Sequence, residues 1–474
     1  MSPSSAQGWR SRLLDWGRDR LLARVLKNSS YLFASYVIGA VLTVVTARLL
    51  GVAEFGVLGT VTVFVTNLNR LFSFRMGEVV VKYMGEALAQ GEKERAAAVV
   101  KVAFLTEAVT SLLAFGMLIL LAPLAATYFA KDAQADHLFI LYGLSILANA
   151  FSEAAVGVLQ VTDHFRSQAL INLVQTVLVA VLLGVAAVTQ ASLLFVLGVY
   201  LLGKIILGLG PVLVAFYWLR RVLGKGWWRA PFSALPPLRE TVRFAIHTNF
   251  SGTVTMVARD SEVPVVSFFF GPAAAGTYKI ALALINLIVQ PVNPLISTTF
   301  PEITRTFARR EWPRLRTLLQ RVSLIAAGWT GLVTVGLVLV GRPLLFQPWS
   351  IAGRTIDLLS EYAPAYPLVL IMLVGYGAAN ILFWNRPLLL AQGQAGFPFR
   401  VSLVAMLVKV ALVLILLPRA EVWVAAALLS AYLLVTVAVI AWRGLRGIEQ
   451  AQSAAILQAE AEGLSGLDGS GGRG

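Results

Sequence analysis

The sequence predicts an all-α membrane protein with about 12 transmembrane helices, each of roughly 20 mostly apolar residues. Of its 474 residues, 58% are hydrophobic and only 13% are charged, whereas soluble domains carry about 25% charged residues. The apolar residues fall in long runs, among them 31–46, 112–124 and 401–417. This composition argues against a soluble enzyme, a nucleic-acid-binding protein and a disordered chain.

Charged or turn-forming segments separate the apolar runs and set the ends of the predicted helices. The helices are predicted at 28–50, 54–76, 97–123, 138–162, 166–189, 191–218, 242–270, 273–300, 316–341, 363–387, 396–417 and 422–443. Because this number is even, both termini are expected on the same side of the membrane.

Lys and Arg are divided unequally between the two sides. One set of alternate loops, with the termini, holds 29 of the 39 Lys and Arg residues; the other set holds four, and six lie inside helices. Basic loops favour the cytoplasmic side. We therefore expect a multi-pass protein of the bacterial cytoplasmic (inner) membrane with both termini in the cytoplasm. Its net charge of +15 then serves orientation and contacts with anionic membrane lipid, not nucleic acid.

The segments outside the helices complete the predicted organisation. Residues 1–27 place apolar residues and arginines on opposite helical faces, which is typical of an interfacial amphipathic helix on the cytoplasmic leaflet. An N-terminal six-helix lobe (28–223), a cytoplasmic linker (224–241) and a C-terminal six-helix lobe (242–443) follow. Residues 444–474, which end in a Gly/Ser-rich stretch, are predicted to be a disordered cytoplasmic tail.

Residues that could support catalysis are scarce. The chain has no cysteine, its three histidines are scattered, and no Gly-rich phosphate loop is followed by Lys-Ser or Lys-Thr. We therefore predict no metal site, no cofactor and no enzymatic activity.

The two halves of the sequence resemble each other. A shift of 220 residues without a gap pairs Gly51 with Gly271, Gly56 with Gly276 and Gly116 with Gly336, and it also aligns Pro123 with Pro343. Six helices per copy give both copies the same orientation, which is a parallel repeat about an axis along the membrane normal. Transporters of this design bind substrate between their lobes. Duplication retained only for packing is the alternative.

Four cations lie inside predicted helices of the leading pair of each lobe, where an ionisable group is costly unless it meets protein or water. Arg48 and Lys279 lie near the outer ends of helices 1 and 8, Arg259 in the outer half of helix 7 and Arg70 in the inner half of helix 2. Arg and Lys replace the water that a phosphate group loses. The four residues are therefore predicted to form a staggered path for a diphosphate.

Each of these cations also has a purely structural interpretation. Arg259 and Glu262 are three residues apart and would form a buried pair that offsets its own desolvation. Asp260 would do the same for Lys279, and Arg48 would extend to the outer headgroups.

Further polar residues inside helices are candidates for two other roles. Acidic residues can carry a coupling proton or cation or simply hydrogen-bond a neighbour, and these are Glu107, Glu153, Asp260 and Glu262. Lys204 and Lys409 are weaker candidates for a functional charge. Helix 8 carries Asn286, Gln290 and Asn293 beside prolines that kink it. A kinked, amide-rich helix suits sugar hydroxyls in a hydrated cavity, and a packing bend is the alternative.

Two segments resemble the bacterial polysaccharide (O-antigen-type) flippases of the multidrug/oligosaccharidyl-lipid/polysaccharide exporter superfamily. The first is Lys27-Asn28-Ser29-Ser30-Tyr31 followed by the stretch 47–56 (ARLLGVAEFG). The second is Arg259-Asp260 followed by 271–281 (GPAAAGTYKIA). One departure is Ser261-Glu262 after Asp260, where the family usually continues with apolar residues. From this departure we expect the extra acid, Glu262, to neutralise Arg259 in part and so to restrict its binding of phosphate.

The resemblance implies a V-shaped, twelve-helix flippase for undecaprenyl-diphosphate-linked oligosaccharides, driven by alternating access and an ion gradient. The diphosphate would then fall to Arg259, Lys279, Arg48 and Arg70. A polysaccharide polymerase and glycosyltransferases are candidate protein partners. One alternative is a cation-coupled multidrug exporter of the same superfamily, which a net negative cavity would favour. The other is a non-transporting scaffold of a polysaccharide assembly complex.

Overall fold

A computed structural model describes residues 20–235, 250, 252–351 and 354–468. Ten helices long and apolar enough to cross a membrane lie within these described residues. One of the ten ranges, Ile38–Phe72, covers parts of both predicted helix 1 and predicted helix 2. Predicted helix 7 is not among the ten, and its first residues, 242–249, lie outside the described part. The arrangement agrees with the predicted twelve-helix architecture.

The N-terminal half is built of helices, with a break in its second span at residues 73–75. Its helices are α1 (Arg20–Phe72), α2 (Met76–Val79), α3 (Gly85–Ala89), α4 (Lys93–Ala125), α5 (Asp136–Ala148), α6 (Ser152–Val161), α7 (Phe165–Thr189) and α8 (Leu193–Val222). A π-helical turn, Val80–Met84, joins α2 to α3, and another, Ala126–Ala130, extends α4. Two 3₁₀ turns, Trp227–Arg229 and Phe232–Ala234, follow α8.

The C-terminal half has the same character. A π-helical turn, Met256–Asp260, precedes α9 (Glu262–Phe270), α10 (Pro272–Val289), α11 (Asn293–Ala308), α12 (Trp312–Gly336), α13 (Arg342–Leu345), α14 (Ala365–Ile381), α15 (Asn385–Ala391), α16 (Gly396–Leu416) and α17 (Val422–Asp468). A short antiparallel hairpin of β1 (Trp349–Ile351) and β2 (Arg354–Ile356) lies in the loop before α14, with Trp349 opposite Ile356. The 3₁₀ turn Gln290–Val292 between α10 and α11 confirms the break predicted at the prolines of helix 8.

The predictions for the ends of the chain fare differently. The proposed interfacial helix has residues 1–19 outside the described part, and from Arg20 the chain is helical into the first span. The tail prediction was wrong over 444–468, because α17 continues to Asp468. The Ala, Gln, Glu and Leu residues of this stretch are strong helix formers, and they outweigh its low hydrophobicity.

The internal repeat appears in the backbone at two glycines. Gly51 breaks α1 with φ 69° and ψ 176°, and Gly271 separates α9 from α10 with φ 86° and ψ 174°. Both conformations lie in a region that residues with a Cβ rarely adopt. The two glycines therefore make equivalent tight turns between the first two spans of each half.

A second pair of equivalent glycines brings the halves into contact. A Cβ on Gly56 would overlap the carbonyl oxygen of Pro272, and a Cβ on Gly276 would overlap that of Val52. Pro272 stands 220 residues after Val52, so the two contacts are reciprocal. The pseudo-twofold axis of the repeat therefore passes between Gly56 and Gly276.

Three apolar cores lie around this axis. The largest joins both halves and includes Phe55, Tyr278 and Tyr362, all fully buried. Each half has a separate second core: one contains Met84 and Leu159, the other Leu315 and Leu388. The shared core lies toward the loops that carry few Lys and Arg, and the separate cores lie toward the basic loops. The halves are therefore packed together at one side of the molecule and separated at the basic side.

Candidate functional site

A cavity of about 880 Å³ lies between the two halves on the basic side. Its wall comes from the end of α1, from α2 and α6, from 252–260 and from the start of α15. Seven charged residues of the described part line it: Arg70, Arg75, Lys82, Arg386, Glu78, Glu153 and Asp260. Among these, four cations against three acids give a small positive excess.

A break in the second span shapes the N-terminal wall of this cavity. α1 ends at Phe72, Arg75 adopts a left-handed conformation with φ 51°, and the chain resumes as α2. α6 packs tightly against the resumed segment, since a Cβ on Gly157 would lie 2.7 Å from the carbonyl oxygen of Gly77. The break directs Arg70 and Arg75 toward the cavity.

An ion pair between the halves lies where the cavity wall passes from one half to the other. Arg70 donates to Asp260 at 2.9 Å, and their side chains remain 55% and 39% exposed. The amide of Asn67 donates to the hydroxyl of Ser261 at 3.1 Å. The π-helical turn that ends at Asp260 presents this carboxylate to the second span. These contacts join α1 to the start of α9.

The other cations of the wall differ in the ion pairs and ring contacts that they make. Arg75 pairs with Glu78 at 3.1 Å, and the Lys82 ammonium lies 4.7 Å from the centre of the Tyr83 ring. Arg386 is exposed and makes no hydrogen bond, ion pair or ring contact with any residue that the structure describes. Arg386 is therefore available to an anion without the loss of an existing partner.

The four cations predicted for the diphosphate do not share one cavity. Arg70 lines it. Arg259 lies one residue before Asp260, and its guanidinium is 5.3 Å from the centre of the Tyr376 ring. Lys279 lies inside the shared core, with its ammonium 4.4 Å from the centre of the Phe55 ring. It has no hydrogen bond or ion pair with any described residue.

Arg48 occupies the opposite side of the molecule. Its side chain is exposed and near Asp357 in the loop before α14. Hydrogen bonds from Ser360 hold the pKa of Asp357 below its ordinary value, and Arg48 adds a smaller effect in the same direction. This placement fits the structural interpretation, in which Arg48 extends to the surface.

The pairing expected for Glu262 was wrong. Glu262 forms a buried ion pair with Lys409, and it also accepts a hydrogen bond of 2.6 Å from the Tyr278 hydroxyl. Lys409 donates as well to the carbonyl oxygen of Ala258. Glu262 therefore does not neutralise Arg259. Spacing within one helix suggested Arg259, but a cation from α16 has the better geometry.

The alternative pairing of Asp260 with Lys279 was also wrong. Asp260 meets Arg70 of the other half instead. Lys279 is directed into the contact with α1, where its aliphatic stem fills the space beside Gly59. A contact between halves decides this pairing, and no spacing within one helix encodes it.

The remaining predicted acids lie together in the N-terminal half. Glu107 is buried in α4 and accepts a hydrogen bond of 2.7 Å from the backbone N–H of Ala154. Glu153 is exposed in the cavity wall and accepts one of 3.2 Å from the hydroxyl of Ser73.

The amides predicted to meet sugar lie along the kink after α10. Asn286 and Asn293 are exposed, and Asn293 donates to Gln290 at 2.7 Å. None of the three belongs to the lining of the cavity. A role in sugar binding therefore stays a prediction.

Sequence analysis missed Arg75, Lys82 and Arg386 as cavity residues. It counted all three among the loop charges that set orientation. A signal for Arg386 is its position directly before Pro387, at the start of a helix on the basic side. The signal for Arg75 and Lys82 is weaker, because the break in the second span has no proline.

Comparisons with known proteins give the fold and the family. The chain is 24% identical over 365 residues to the inner membrane protein YghQ of Escherichia coli, covering 75% of this chain and 98% of that protein. Among solved structures, the lipid II flippase MurJ in an inward closed conformation gives a TM-score of 0.65 at 14% identity, with 92% of each chain covered. An inward-facing multidrug resistance transporter of the MATE family gives 0.62 at 14% identity, with 89% of this chain and 95% of that chain covered.

These likenesses confirm the fold class of twelve helices in two lobes, because both solved structures share it over nearly their full length. The resemblance that we based on the segments around Gly51 and Gly271 is also confirmed. The family model described as polysaccharide biosynthesis protein matches residues 23–307, more than half of the chain. The chain is a multi-pass membrane protein that belongs to this polysaccharide biosynthesis family.

Proposed function

We propose that this protein translocates an undecaprenyl-diphosphate-linked oligosaccharide from the cytoplasmic to the outer leaflet of the bacterial inner membrane by alternating access. The observation that carries the proposal is the cavity of about 880 Å³ between the two halves, open at the basic side and closed opposite by the shared core. Basic loops favour the cytoplasm. The cavity then faces the leaflet in which a lipid-linked sugar would be received, and both termini are cytoplasmic.

The chemistry of the cavity wall suits a diphosphate. Arg386 has no partner among the residues that the structure describes, and Arg70 and Arg75 are paired but exposed. Guanidinium groups bind phosphate oxygens in a bidentate manner. A diphosphate can replace the carboxylates of Asp260 and Glu78 as the ion-pair partner of the two arginines. Binding would therefore replace ion pairs that already exist, which limits its strength and permits release.

The conformational cycle follows from the same contacts. When Arg70 binds the diphosphate instead of Asp260, the halves lose an ion pair that joins them at the cavity. Opening of the shared core would then expose Lys279, which has no ion-pair partner among the described residues and would receive the diphosphate on the outer path. Arg259 would contribute between these two positions, and Arg48 at the outer rim. The lipid tail would stay in the bilayer, between the separated halves.

The relatives support a lipid-linked substrate only in their own names. MurJ is named as a lipid II flippase, and the family is one of polysaccharide biosynthesis. Drug export is the competing function, because the MATE structure shares the fold. The small positive excess of the cavity wall argues against a cationic drug as substrate.

The test compares the two substrate classes with one purified protein in proteoliposomes. The first assay follows a fluorescent undecaprenyl-diphosphate oligosaccharide, whose fluorescence on the outer surface is quenched by an impermeant reductant. The second follows uptake of a cationic dye, and protein-free vesicles are the control for both. We expect protein-dependent flipping without dye transport. Dye transport without flipping would replace the proposal by the exporter. The absence of both activities would favour the scaffold.

A further inference from the structure

Glu107 is a buried carboxyl group that is only half satisfied. The residue is 6% exposed, and its Oε1 accepts a hydrogen bond of 2.7 Å from the backbone N–H of Ala154. Its Oε2 is buried and has no hydrogen-bond partner among the described residues. Buried polar oxygens nearly always have a partner, so this orphan oxygen needs an explanation.

Glu262, the other buried acid among the described residues, is matched by a cation, because it pairs with Lys409. Glu107 has no ion pair with any residue that the structure describes. An ionised carboxylate is far more costly to bury without a cation than a neutral carboxyl group. The geometry therefore points to a proton on Oε2 in this conformation.

The residue beside the Ala154–Glu107 hydrogen bond lines the cavity. Ala154, whose N–H binds Glu107, directly follows Glu153, and the carboxylate of Glu153 lies in the cavity wall with the Ser73 hydroxyl as donor. The electrostatic field of the Glu153 carboxylate reaches Glu107. A proton that leaves Glu107 Oε2 would pass to the Glu153 carboxylate, and from there to cavity water. The first transfer leaves Glu107 charged and Glu153 neutral. The second releases the proton to water and leaves both carboxylates charged until Glu107 takes up a proton by the reverse route.

The elements packed around Glu107 bring few other charges to it. The segment 76–84 carries Glu78, Lys82 and Tyr83, and the turn after α8 carries Arg229. On α4 itself, Lys101 is directed to the carbonyl oxygen of Ala230 at 3.1 Å. The charged group that acts electrostatically on Glu107 is Glu153 on α6.

We propose that Glu107 is a proton-binding site, connected to the cavity through Glu153, and that it couples proton movement to the translocation proposed above. The cavity gives Glu153 water only while the basic side is open. Glu107 would therefore exchange its proton in this conformation and retain it when the cavity closes. The inference rests on the proposed function for its role in transport, and on geometry alone for the proton site.

The first experiment measures the proton without transport. Infrared difference spectra of the purified protein between acidic and alkaline buffer should show a protonated carboxyl band that disappears in Glu107→Gln. The matched control is Glu94→Gln, an exposed acid on the same helix with no ion pair to a described residue. The amide of Glu107→Gln can keep the bond to Ala154, so we expect normal folding, checked by thermal unfolding. A spectrum unchanged by Glu107→Gln would overturn the proton site.

The second experiment measures coupling in proteoliposomes with an imposed pH gradient and a trapped pH-sensitive dye. We expect the gradient to change wild-type flipping by about 5-fold or more, and Glu107→Gln and Glu153→Gln to lose this response while Glu94→Gln keeps it. A gradient response retained in Glu107→Gln would overturn the coupling and leave the flippase intact. Glu107-dependent proton movement in vesicles that flip no lipid would support the site and overturn the proposed function.

Discussion

The two ends of the contact between the halves are built in opposite ways. On the side away from the basic loops, the halves meet through apolar residues and backbone, with Gly56 and Gly276 in reciprocal contact. On the basic side, the halves have separate cores and face each other through the ion pair Arg70–Asp260 and a charged cavity. The contacts of the closed side are related by the repeat, and the ion pair and charges of the open side are not.

Lys279 is a charged residue that lies in the closed contact but has no charged equivalent in the other half. Its equivalent in the first half, 220 residues earlier, is Gly59, and the stem of Lys279 lies against that glycine. Arg70 is equivalent to Gln290, and Asp260 to Ala40. The charges at these three positions therefore lie on one copy only. The difference teaches that the closed contact follows the repeat, whereas the charges proposed to bind substrate do not.

The largest expected effect breaks the closed side. Gly276→Val places a side chain against the carbonyl oxygen of Val52, which is backbone and cannot give way. We expect the closed contact to be lost and flipping to be abolished. Because the chain has no cysteine, a cysteine introduced at Phe55 reports this opening through labelling by an impermeant thiol reagent. Labelling of the Gly276→Val protein at the rate of the parent would contradict the contact.

A second change tests the buried charges of the C-terminal half. Lys409→Met leaves Glu262 buried and unpaired, which we expect to destabilise the protein by about 3–5 kcal/mol. The double variant Lys409→Met/Glu262→Gln removes both charges and should recover most of this loss. Thermal unfolding in detergent measures both, and an equal loss in the single and double variants would show that the pair is not formed.

On the open side, Arg386→Ala removes the cation that has no partner among the described residues. We expect flipping of the diphosphate-linked lipid to fall about 10-fold, because a charge-assisted hydrogen bond to substrate is lost. No ion pair is broken, so thermal stability should be unchanged. Arg400→Ala, an exposed arginine outside the cavity lining, is the matched control, and an equal loss in both variants would remove Arg386 from the site.

The ion pair between the halves should matter little for stability. Arg70 and Asp260 are both partly exposed, so Arg70→Ala should cost about 1 kcal/mol or less in unfolding experiments. Its flipping rate should nevertheless fall, since Arg70 is also expected to meet the diphosphate. A charge exchange, Arg70→Asp with Asp260→Arg, should keep the stability, and full flipping by this variant would reduce Arg70 to a structural role.

The smallest effect concerns Asp357 at the outer rim. Its pKa lies below the ordinary value of 3.8, mainly because Ser360 donates to the carboxylate. The ionised form therefore stabilises the fold above pH 3.8, and this contribution is lost as the pH falls through the folded pKa. Asp357→Asn should lower the unfolding temperature slightly at pH 6, with no difference in strong acid. A difference that persists in strong acid would assign the effect to lost hydrogen bonds alone.

The sequence predicts the scaffold better than the site. Apolar runs, loop charges and the glycines at 51 and 271 suffice for the helices and the repeat, because hydrophobic length and turn geometry are local properties. The partner of Glu262 comes from α16, more than 140 residues away, and it depends on helix rotation. In the sequence, Arg386 looks like a loop charge that sets orientation. Only the arrangement of the two halves shows that it lines the cavity. Pairing and cavity position are properties of the assembled helices.

The central claim is that the closed contact must open for a lipid to cross. The rings of Phe129 and Phe268 belong to different halves, and their centres lie 5.4 Å apart in this contact. In the cysteine-free background, Phe129→Cys/Phe268→Cys can be joined by a short reducible linker, with each single variant as control. We predict that the linked protein in proteoliposomes stops flipping the undecaprenyl-diphosphate oligosaccharide and resumes after reduction. Flipping at the unlinked rate while the halves are joined would contradict alternating access.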